Sequence, residues 1–275
     1  MGKEKEMNIT IRHLDKYYGR KQALSDVTMT IPKGMFGLLG RNGAGKTTLM
    51  KILAALSKKQ SGTVEICGIP VENAAEIRRI TGYLPQEFNM YPGMSVYEAM
   101  DYLGVLSGLS KQERRKRIPV LLERVNLQDD RKKKVKALSG GMKRRLGIAQ
   151  AVIHDPKVLI VDEPIVILST HITGDIEASC EEIAVLEEGK LLFRGTVEEL
   201  LRSVRGKVFR AEISRHELDD LKERCIVTSM LTLGNNVMAR FISEQKPFPG
   251  AERCEAGVED AYMYLMQGRS DASCS

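Results

Sequence analysis

A glycine-rich loop that ends in lysine and threonine is the part of this chain whose residue types could do chemistry. The segment Gly40-Arg41-Asn42-Gly43-Ala44-Gly45-Lys46-Thr47 fits the pattern G-x-x-x-x-G-K-[ST]. In such a loop, backbone N–H groups surround phosphate oxygens at a helix N-terminus. Lys46 is expected to pair with the β- and γ-phosphates, and Thr47 to place its hydroxyl on Mg²⁺. The predicted nucleotide-binding residues are Gly40, Asn42, Gly43, Ala44, Gly45, Lys46, Thr47 and Thr48.

Two further motifs follow in a set order. The run Leu138-Ser139-Gly140-Gly141-Met142 comes first, and the apolar run Val158-Leu159-Ile160-Val161 then leads into Asp162-Glu163. Together with the loop, these motifs resemble those of ATP-binding-cassette (ABC) ATPases over roughly residues 8–204. The LSGGM form, followed by Lys143-Arg144-Arg145, is similar to bacterial exporters whose ATPase is a separate polypeptide. Residues 259–265 also resemble the last helix of such subunits.

The resemblance implies roles for residues outside the loop. Asp162 would hold Mg²⁺ largely through water, and Glu163 would polarise the attacking water. Gln86, in Gly82-Tyr83-Leu84-Pro85-Gln86, matches the glutamine that links Mg²⁺ to the transmembrane partner. Tyr18 lies where the family places an aromatic ring that stacks on adenine, with neighbouring Tyr17 as the rival.

The same resemblance implies partners. Ser139, Gly140 and Gly141 would contact the γ-phosphate of ATP bound to a second ATP-binding subunit, in a homodimer or a heterodimer. Transport would run through a separate transmembrane permease subunit. The expected location is therefore the cytoplasm, on the inner face of the cell membrane and held there by the permease.

One stretch of the family pattern is missing after Pro164. The family continues there with a D-loop (T-x-G-L-D-P), a helix and a turn before an apolar strand that ends in Ser-Thr-His. Here Ile165-Val166-Ile167-Leu168-Ser169-Thr170-His171 follows directly. Parallel strands need a crossover of about a dozen residues, so both strands cannot keep their family positions. We expect the Asp162 strand to stay and the switch residue His171 to be displaced, with binding surviving better than hydrolysis.

The elements that must position these residues alternate between strands and helices. A strand over 35–39 enters the loop, and a helix over 47–56 leaves it. Other strands are predicted over 8–12, 23–31, 62–69 and 80–84, and a hairpin about Glu188-Gly189. Ser95 and Thr196 open helices with capping boxes to Glu98 and Glu199. Short strands at 208–213 and 237–242 and a helix at 258–266 follow.

This order predicts an α/β fold: a P-loop NTPase core of the ABC ATPase type, with an antiparallel β-subdomain and a helical subdomain. We expect a cassette domain over residues 1–204, with the helical subdomain at about 87–138. A small C-terminal α+β extension follows over 205–268, and 269–275 form a tail.

Composition restricts the function classes. Of 275 residues, 43% are hydrophobic and 28% charged, as in an ordinary globular protein. No apolar run approaches the roughly 20 residues of a transmembrane helix. The net charge of +6 comes largely from basic runs at 114–117 and 131–134. These runs lack interleaved aromatic residues, so we expect no nucleic-acid partner. Solvated helix ends are the preferred interpretation, and anionic lipid headgroups are another possible contact.

The sequence therefore favours an ATPase of ABC transporter type that uses ATP and Mg²⁺. The alternative is a catalytically silent nucleotide-binding subunit that regulates a partner complex. ABC ATPases of DNA repair or translation are disfavoured, because they usually carry long coiled-coil insertions or tandem cassettes.

Overall fold

The computed structural model describes residues 8–87, 90–162 and 180–267. These residues group into two compact units. The first contains 8–31, 45–87 and 90–162, and the second contains 32–44 and 180–267. No helix in these ranges is long and apolar enough to cross a membrane. The domain boundaries inferred from the sequence stay a prediction.

The strands, in chain order, are β1 (Ile9–Tyr18), β2 (Lys21–Ile31), β3 (Phe36–Leu39), β4 (Ser61–Ile66), β5 (Ile69–Pro70), β6 (Thr81–Leu84), β7 (Val158–Val161), β8 (Glu182–Glu187), β9 (Lys190–Thr196), β10 (Val208–Ser214), β11 (Ile226–Leu233), β12 (Asn236–Ile242) and β13 (Glu252–Arg253). The α-helices are α1 (Lys46–Leu53), α2 (Ala74–Ile80), α3 (Val96–Leu106), α4 (Lys111–Arg124), α5 (Gly140–Ala151), α6 (Val197–Arg202), α7 (Arg215–Arg224) and α8 (Val258–Gln267), and a short 3-10 helix spans Val135–Ala137.

The first unit contains an antiparallel sheet of order β2-β1-β4-β5. Alternating residues of β1, among them Ile9 and Ile11, are buried, as expected of a strand with one face on a core. The strand predicted over 62–69 is interrupted, because Cys67 and Gly68 adopt positive φ of 51° and 71° and form a turn between β4 and β5.

A helical region in this unit connects two parallel strands. Strands β6 and β7 pair from Thr81↔Val158 to Leu84↔Val161, and α3, α4 and α5 lie between them in the chain. These helices bury a common core that includes Met100, Ile118 and Leu122. Ser95 and Ser110 open α3 and α4 with capping boxes, which confirms the box predicted at Ser95.

Helix α1 is shorter than the predicted span of 47–56. It ends at Leu53, because Ala55 takes a left-handed φ of 52° and the chain turns back. The N–H groups of Leu56 and Ser57 both donate to the carbonyl of Lys51, which satisfies an acceptor at the helix end.

The second unit contains two sheets. In the first, β3 runs parallel to β8, which pairs antiparallel with β9 through the predicted hairpin at Glu188-Gly189. The second is antiparallel with order β11-β12-β10-β13. Helix α7 between β10 and β11 carries few apolar residues and was not predicted. A buried core joins Leu39 of β3 and Val185 of β8 to Tyr262 of α8.

Candidate nucleotide-binding site

The phosphate loop leaves β3 at a glycine that no other residue could replace without a clash. Gly40 has φ 151°, and a Cβ placed there would lie 2.3 Å from the carbonyl oxygen of Leu186. Further along, the carbonyl of Ala44 accepts a 3.0 Å hydrogen bond from the N–H of Gly189. Strand β8 and its turn into β9 therefore support the loop backbone at both points.

The loop ends at the N-terminus of α1. Gly45 caps this helix with φ 104°, and neither a side-chain cap nor an acidic residue occupies its first turn. The first N–H groups of a helix lack intrahelical acceptors and carry partial positive charge, so this end suits an anion. Lys46, only 7% exposed, and Thr47 are the first helical residues. Thr48 follows, half-buried.

The structure brings Thr47 and Asp162 together across 115 residues of chain. The Thr47 hydroxyl donates to Oδ1 of Asp162 at 3.0 Å. Asp162 follows the last residue of β7 and is 3% exposed, and its N–H donates to the carbonyl of Leu84 at 2.8 Å. Helix α1 and the β6–β7 pair thus place a hydroxyl and a carboxylate side by side.

These two groups have the chemistry that Mg²⁺ requires. A hydroxyl that donates its one hydrogen still has lone pairs, so Thr47 can bond Asp162 and ligate a cation at once. Mg²⁺ takes hard oxygen ligands and keeps several waters, typically with one or two carboxylates and phosphate oxygens. The donor set of Thr47 and Asp162 fits that coordination.

Tyr83 is a contact of this site that the sequence did not assign. Its hydroxyl donates to Oδ2 of Asp162 at 3.1 Å, so both carboxylate oxygens accept a hydrogen bond. Burial raises the pKa of Tyr83 well above its ordinary value, and the negative charge and hydrogen bond of Asp162 raise it further. One signal was present in the sequence: Tyr83 lies near the carboxyl end of the strand predicted over 80–84, and Asp162 ends another predicted apolar strand.

Two predicted residues lie at element ends with exposed side chains. Tyr18 ends β1 and is 51% exposed, and the ammonium of Lys16 lies 5.0 Å from its ring centroid. Its rival Tyr17 is also exposed, and the Tyr17 backbone bonds the side chain of Gln60 in both directions. Gln86 lies two residues beyond β6 and is exposed. The exposed ring of Tyr18 leaves a face on which a base could stack.

The LSGGM run forms the start of a second helix with an open N-terminus. Ser139 is the N-cap of α5, and its hydroxyl accepts from the N–H of Met142 at 3.3 Å. Gly140 and Gly141 are exposed, and a Cβ on either would meet nothing within 4 Å. This surface therefore presents backbone N–H groups to solvent, where a phosphate from another molecule has room.

Two predicted catalytic residues, Glu163 and His171, lie outside the described residues, as does the segment between them. The expectation that His171 is displaced therefore stays a prediction. The structure places Asp162 at the end of β7, in contact with Thr47.

A buried tyrosine lies behind the phosphate loop within the second unit. Tyr262 of α8 is 3% exposed and packs in the same core as Leu39, the residue that precedes the loop. Burial raises the pKa of Tyr262 to about 12, and the carboxylate of Glu187 acts in the same direction. Arg41 opposes this increase through its charge and its backbone N–H. The last helix thus meets groups of the loop and of the hairpin that supports it.

Comparison with known proteins gives an independent result. A family model described as ABC transporter matches residues 24–166. The chain is 33% identical over 247 residues to a Bacillus subtilis (strain 168) protein described as the uncharacterized ABC transporter ATP-binding protein YxlF, covering 81% of this chain and 82% of that one. It is 31% identical over 277 residues to the Nod factor export ATP-binding protein I of Cupriavidus pinatubonensis, covering 91% and 85%.

Solved structures agree on the fold. One described as the ATP binding subunit of an ABC transporter has a TM-score of 0.63 at 26% identity, covering 71% of this chain and 92% of that one. Another, cbiO1 from Clostridium perfringens, described as part of the ABC transporter complex cbiONQ, has a TM-score of 0.61 at 23% identity, covering 79% and 99%. This likeness agrees with the α/β P-loop core predicted from the sequence.

Proposed function

Because this chain belongs to the ABC transporter family of ATP-binding subunits, we propose that it binds Mg-ATP and couples binding and hydrolysis to transport through a separate membrane subunit. The observation that carries the proposal is the 3.0 Å hydrogen bond between Thr47 and Asp162. It unites the end of the phosphate loop with the acid of a distant strand, which is the pairing that holds Mg²⁺ in P-loop ATPases.

Each group at the site has a part in this proposal. The loop N–H groups and Lys46 bind the β- and γ-phosphates, and Thr47 and Asp162 hold Mg²⁺, to which Gln86 links the membrane partner. Bound Mg²⁺ would neutralise charge on the β- and γ-phosphate oxygens. Tyr18 stacks on the adenine. Glu163 orients the attacking water, and we expect the shortened segment after Pro164 to displace His171 from the γ-phosphate.

A second copy of the domain completes the site. The open N-terminus of α5, with Ser139, Gly140 and Gly141, offers N–H groups to the γ-phosphate of ATP on a partner subunit. Exposure of this helix end supports the proposal, because an anion from another molecule can reach it. Under the same proposal, the C-terminal part of the chain from about residue 205 is an extension of the cassette.

A patch of exposed apolar side chains supports a membrane partner. Tyr102, Val105 and Leu106 share one face of α3, and they are 37%, 50% and 65% exposed. The exposed ring of Tyr91 packs edge-on against Tyr102, with the ring centroids 5.6 Å apart. We call these four residues the α3 patch. Contiguous apolar surface of this kind marks protein interaction sites.

A thermal melt with and without Mg-ATP tests nucleotide binding. A ligand at 100 times its Kd adds about 2.7 kcal/mol to the stability of the folded state. We expect a shift of a few degrees in the wild-type chain and its loss in Lys46→Ala, each compared with its own ligand-free melt. A wild-type chain that melts cooperatively without any shift would contradict the proposal.

The silent-subunit alternative is favoured by the sequence after Pro164. Residues 165–171, which match the strand and histidine that the family places after the D-loop and its helix, follow Pro164 directly. ATP turnover separates the two functions. Turnover that disappears in Lys46→Ala and in Glu163→Gln identifies an ATPase. Tight Mg-ATP binding without turnover identifies a silent nucleotide-binding subunit.

A further inference from the structure

Tyr83 holds the oxygen of Asp162 that Thr47 does not. Its hydroxyl lies 3.1 Å from Oδ2, and the Thr47 hydroxyl lies 3.0 Å from Oδ1. A carboxylate that accepts one bond on each oxygen cannot rotate without losing both. The two donors therefore fix the plane of the Asp162 carboxylate.

The main chain of the same strand fixes Asp162 as well. Strand β6 pairs in parallel with β7, with Tyr83 opposite Ile160 and Leu84 opposite Val161. The Leu84 carbonyl then accepts the N–H of Asp162 at 2.8 Å. Strand β6 thus holds the backbone of Asp162 through Leu84 and its carboxylate through Tyr83.

The position of β6 is itself tightly constrained. A Cβ on Gly82 would lie 2.1 Å from the carbonyl oxygen of Ala151, so the strand lies directly against the end of α5. Asp162 is only 3% exposed, so solvent cannot easily replace a lost donor. An unpaired buried carboxylate oxygen is costly and tends to reorient toward another donor.

We propose that Tyr83 is a positioning residue for Asp162, whose hydroxyl holds the carboxylate in the orientation that receives the hydrated Mg²⁺ of the bound nucleotide. The inference rests on the proposed function, because it assigns Mg-ATP to this site. It goes beyond that function by making a tyrosine of β6 part of the metal-binding machinery, although Tyr83 need not touch the ion or the nucleotide.

The test measures the affinity of the full chain for ATP in Mg²⁺ and in EDTA. The affinity in Mg²⁺ divided by the affinity in EDTA gives the ratio that is compared between variants. Because the chain contains no tryptophan, a fluorescent ATP analogue supplies the signal. Tyr83→Phe keeps the ring and removes the hydroxyl. We expect it to lower the ratio about tenfold, at the small end of the effect of outer-shell partners of metal ligands. The affinity in EDTA should stay at the wild-type value.

A double-mutant cycle with Asp162→Asn shows whether Tyr83 acts through Asp162. In the Asp162→Asn background, Tyr83→Phe should change the ratio no further. The matched control is Tyr97→Phe, which removes a hydroxyl from a half-buried tyrosine of α3 and should leave the ratio unchanged.

The outcomes separate the inference from the proposed function. A wild-type ratio of one would overturn Mg-dependent nucleotide binding, and this inference with it. If the wild-type ratio exceeds one, falls to one in Asp162→Asn and stays at the wild-type value in Tyr83→Phe, the role of Tyr83 alone is overturned. Equal losses of affinity in Mg²⁺ and in EDTA would show a merely structural tyrosine and would overturn it too.

Discussion

At the scale of single residues, the site depends on contacts between positions far apart in the chain. Thr47 and Tyr83 reach Asp162 over 115 and 79 residues. The sequence predicted Thr47 and Asp162 because their motifs have recognisable spacing. Tyr83 could not be assigned in this way, because its role depends on which face of β6 lies toward the end of β7. A shift of the β6–β7 pairing by one residue would turn Tyr83 to the other face of the sheet, so its contact with Asp162 required the observed register.

Gly40 provides the residue-scale prediction. In Gly40→Ala, the new Cβ meets the Leu186 carbonyl, so the loop or the hairpin must move. In the matched variant Gly43→Ala, φ is also positive, at 86°, but no atom lies within 4 Å of the new Cβ. We expect Gly43→Ala to cost about 1–2 kcal/mol of unfolding free energy from backbone strain alone. Gly40→Ala should cost more and should also abolish the Mg-ATP shift.

Denaturant unfolding and Mg-ATP melts of both variants check this prediction. Equal losses of stability in the two variants would mean that the Leu186 carbonyl yields freely and does not constrain the loop.

At the scale of elements, the capping boxes and the hairpin turn were predicted correctly, whereas the end of α1 and the break between β4 and β5 were not. The capping boxes at Ser95 and Thr196 were predicted, and both helices begin there. The hairpin at Glu188-Gly189 was also predicted, and both turn residues have the positive φ that a two-residue hairpin needs. Ala55 and Cys67 adopt positive φ as well, yet neither residue type indicates a chain reversal. Tertiary contacts, which the sequence does not display, set those bounds.

The capping boxes predict a pH dependence. Hydrogen bonds from the N-cap serines hold the pKa values of Glu98, Glu113 and Glu217 below the ordinary value of 4.5. The unfolded chain therefore binds protons more readily than the folded chain as pH falls. The stability that these glutamates contribute is fully present above pH 4.5 and is lost as pH falls through their lowered folded-state pKa values.

Glutamine also closes a capping box but carries no charge. We therefore expect wild type to be more stable than the triple variant Glu98→Gln, Glu113→Gln, Glu217→Gln at pH 7, and this advantage to shrink between pH 5 and pH 3. Urea unfolding at each pH, followed by circular dichroism, gives the difference. Glu123→Gln, an exposed site outside any box, is the control. A constant difference across this range would contradict the assignment.

Helix α8 carries a second prediction at this scale. Asp260 is 1% exposed and accepts hydrogen bonds from the Thr228 hydroxyl at 2.7 Å, the Arg240 guanidinium at 2.6 Å and the Gly257 N–H at 2.8 Å. Asp260→Asn leaves the Arg240 charge partly buried without its partner, which should cost about 3–5 kcal/mol of unfolding free energy. Because Tyr262 of the same helix packs with Leu39, ATP affinity should fall as well.

The neighbouring variant Glu259→Gln controls for charge, since it removes an acid from the same turn but leaves the Arg240–Asp260 pair intact. Denaturant unfolding of both variants, together with ATP titration, gives the comparison. A loss of stability without any loss of ATP affinity would show that α8 stabilises the second unit without supporting the loop.

At the scale of the whole molecule, the proposed membrane partner needs a surface on which to dock. Two features compete for that role. The α3 patch offers apolar contacts to a protein partner, and the basic runs at 114–117 and 131–134 offer charge to anionic lipid. Salt weakens contacts between exposed charges but not the burial of apolar surface, so the two mechanisms respond differently to a salt wash.

We therefore expect Leu106→Glu to lower the ratio of membrane-bound to supernatant protein, measured after fractionation of its native cells, by about tenfold. The reason is that a charge at an apolar interface must be desolvated. Leu231→Glu is the matched control, since Leu231 is 62% exposed and Leu106 is 65% exposed. Nucleotide binding should persist in both variants, because neither residue belongs to the predicted nucleotide-binding set. Wild-type protein should stay on the membranes through a high-salt wash. Release of wild type by salt, with no effect of Leu106→Glu, would instead assign membrane association to the basic runs.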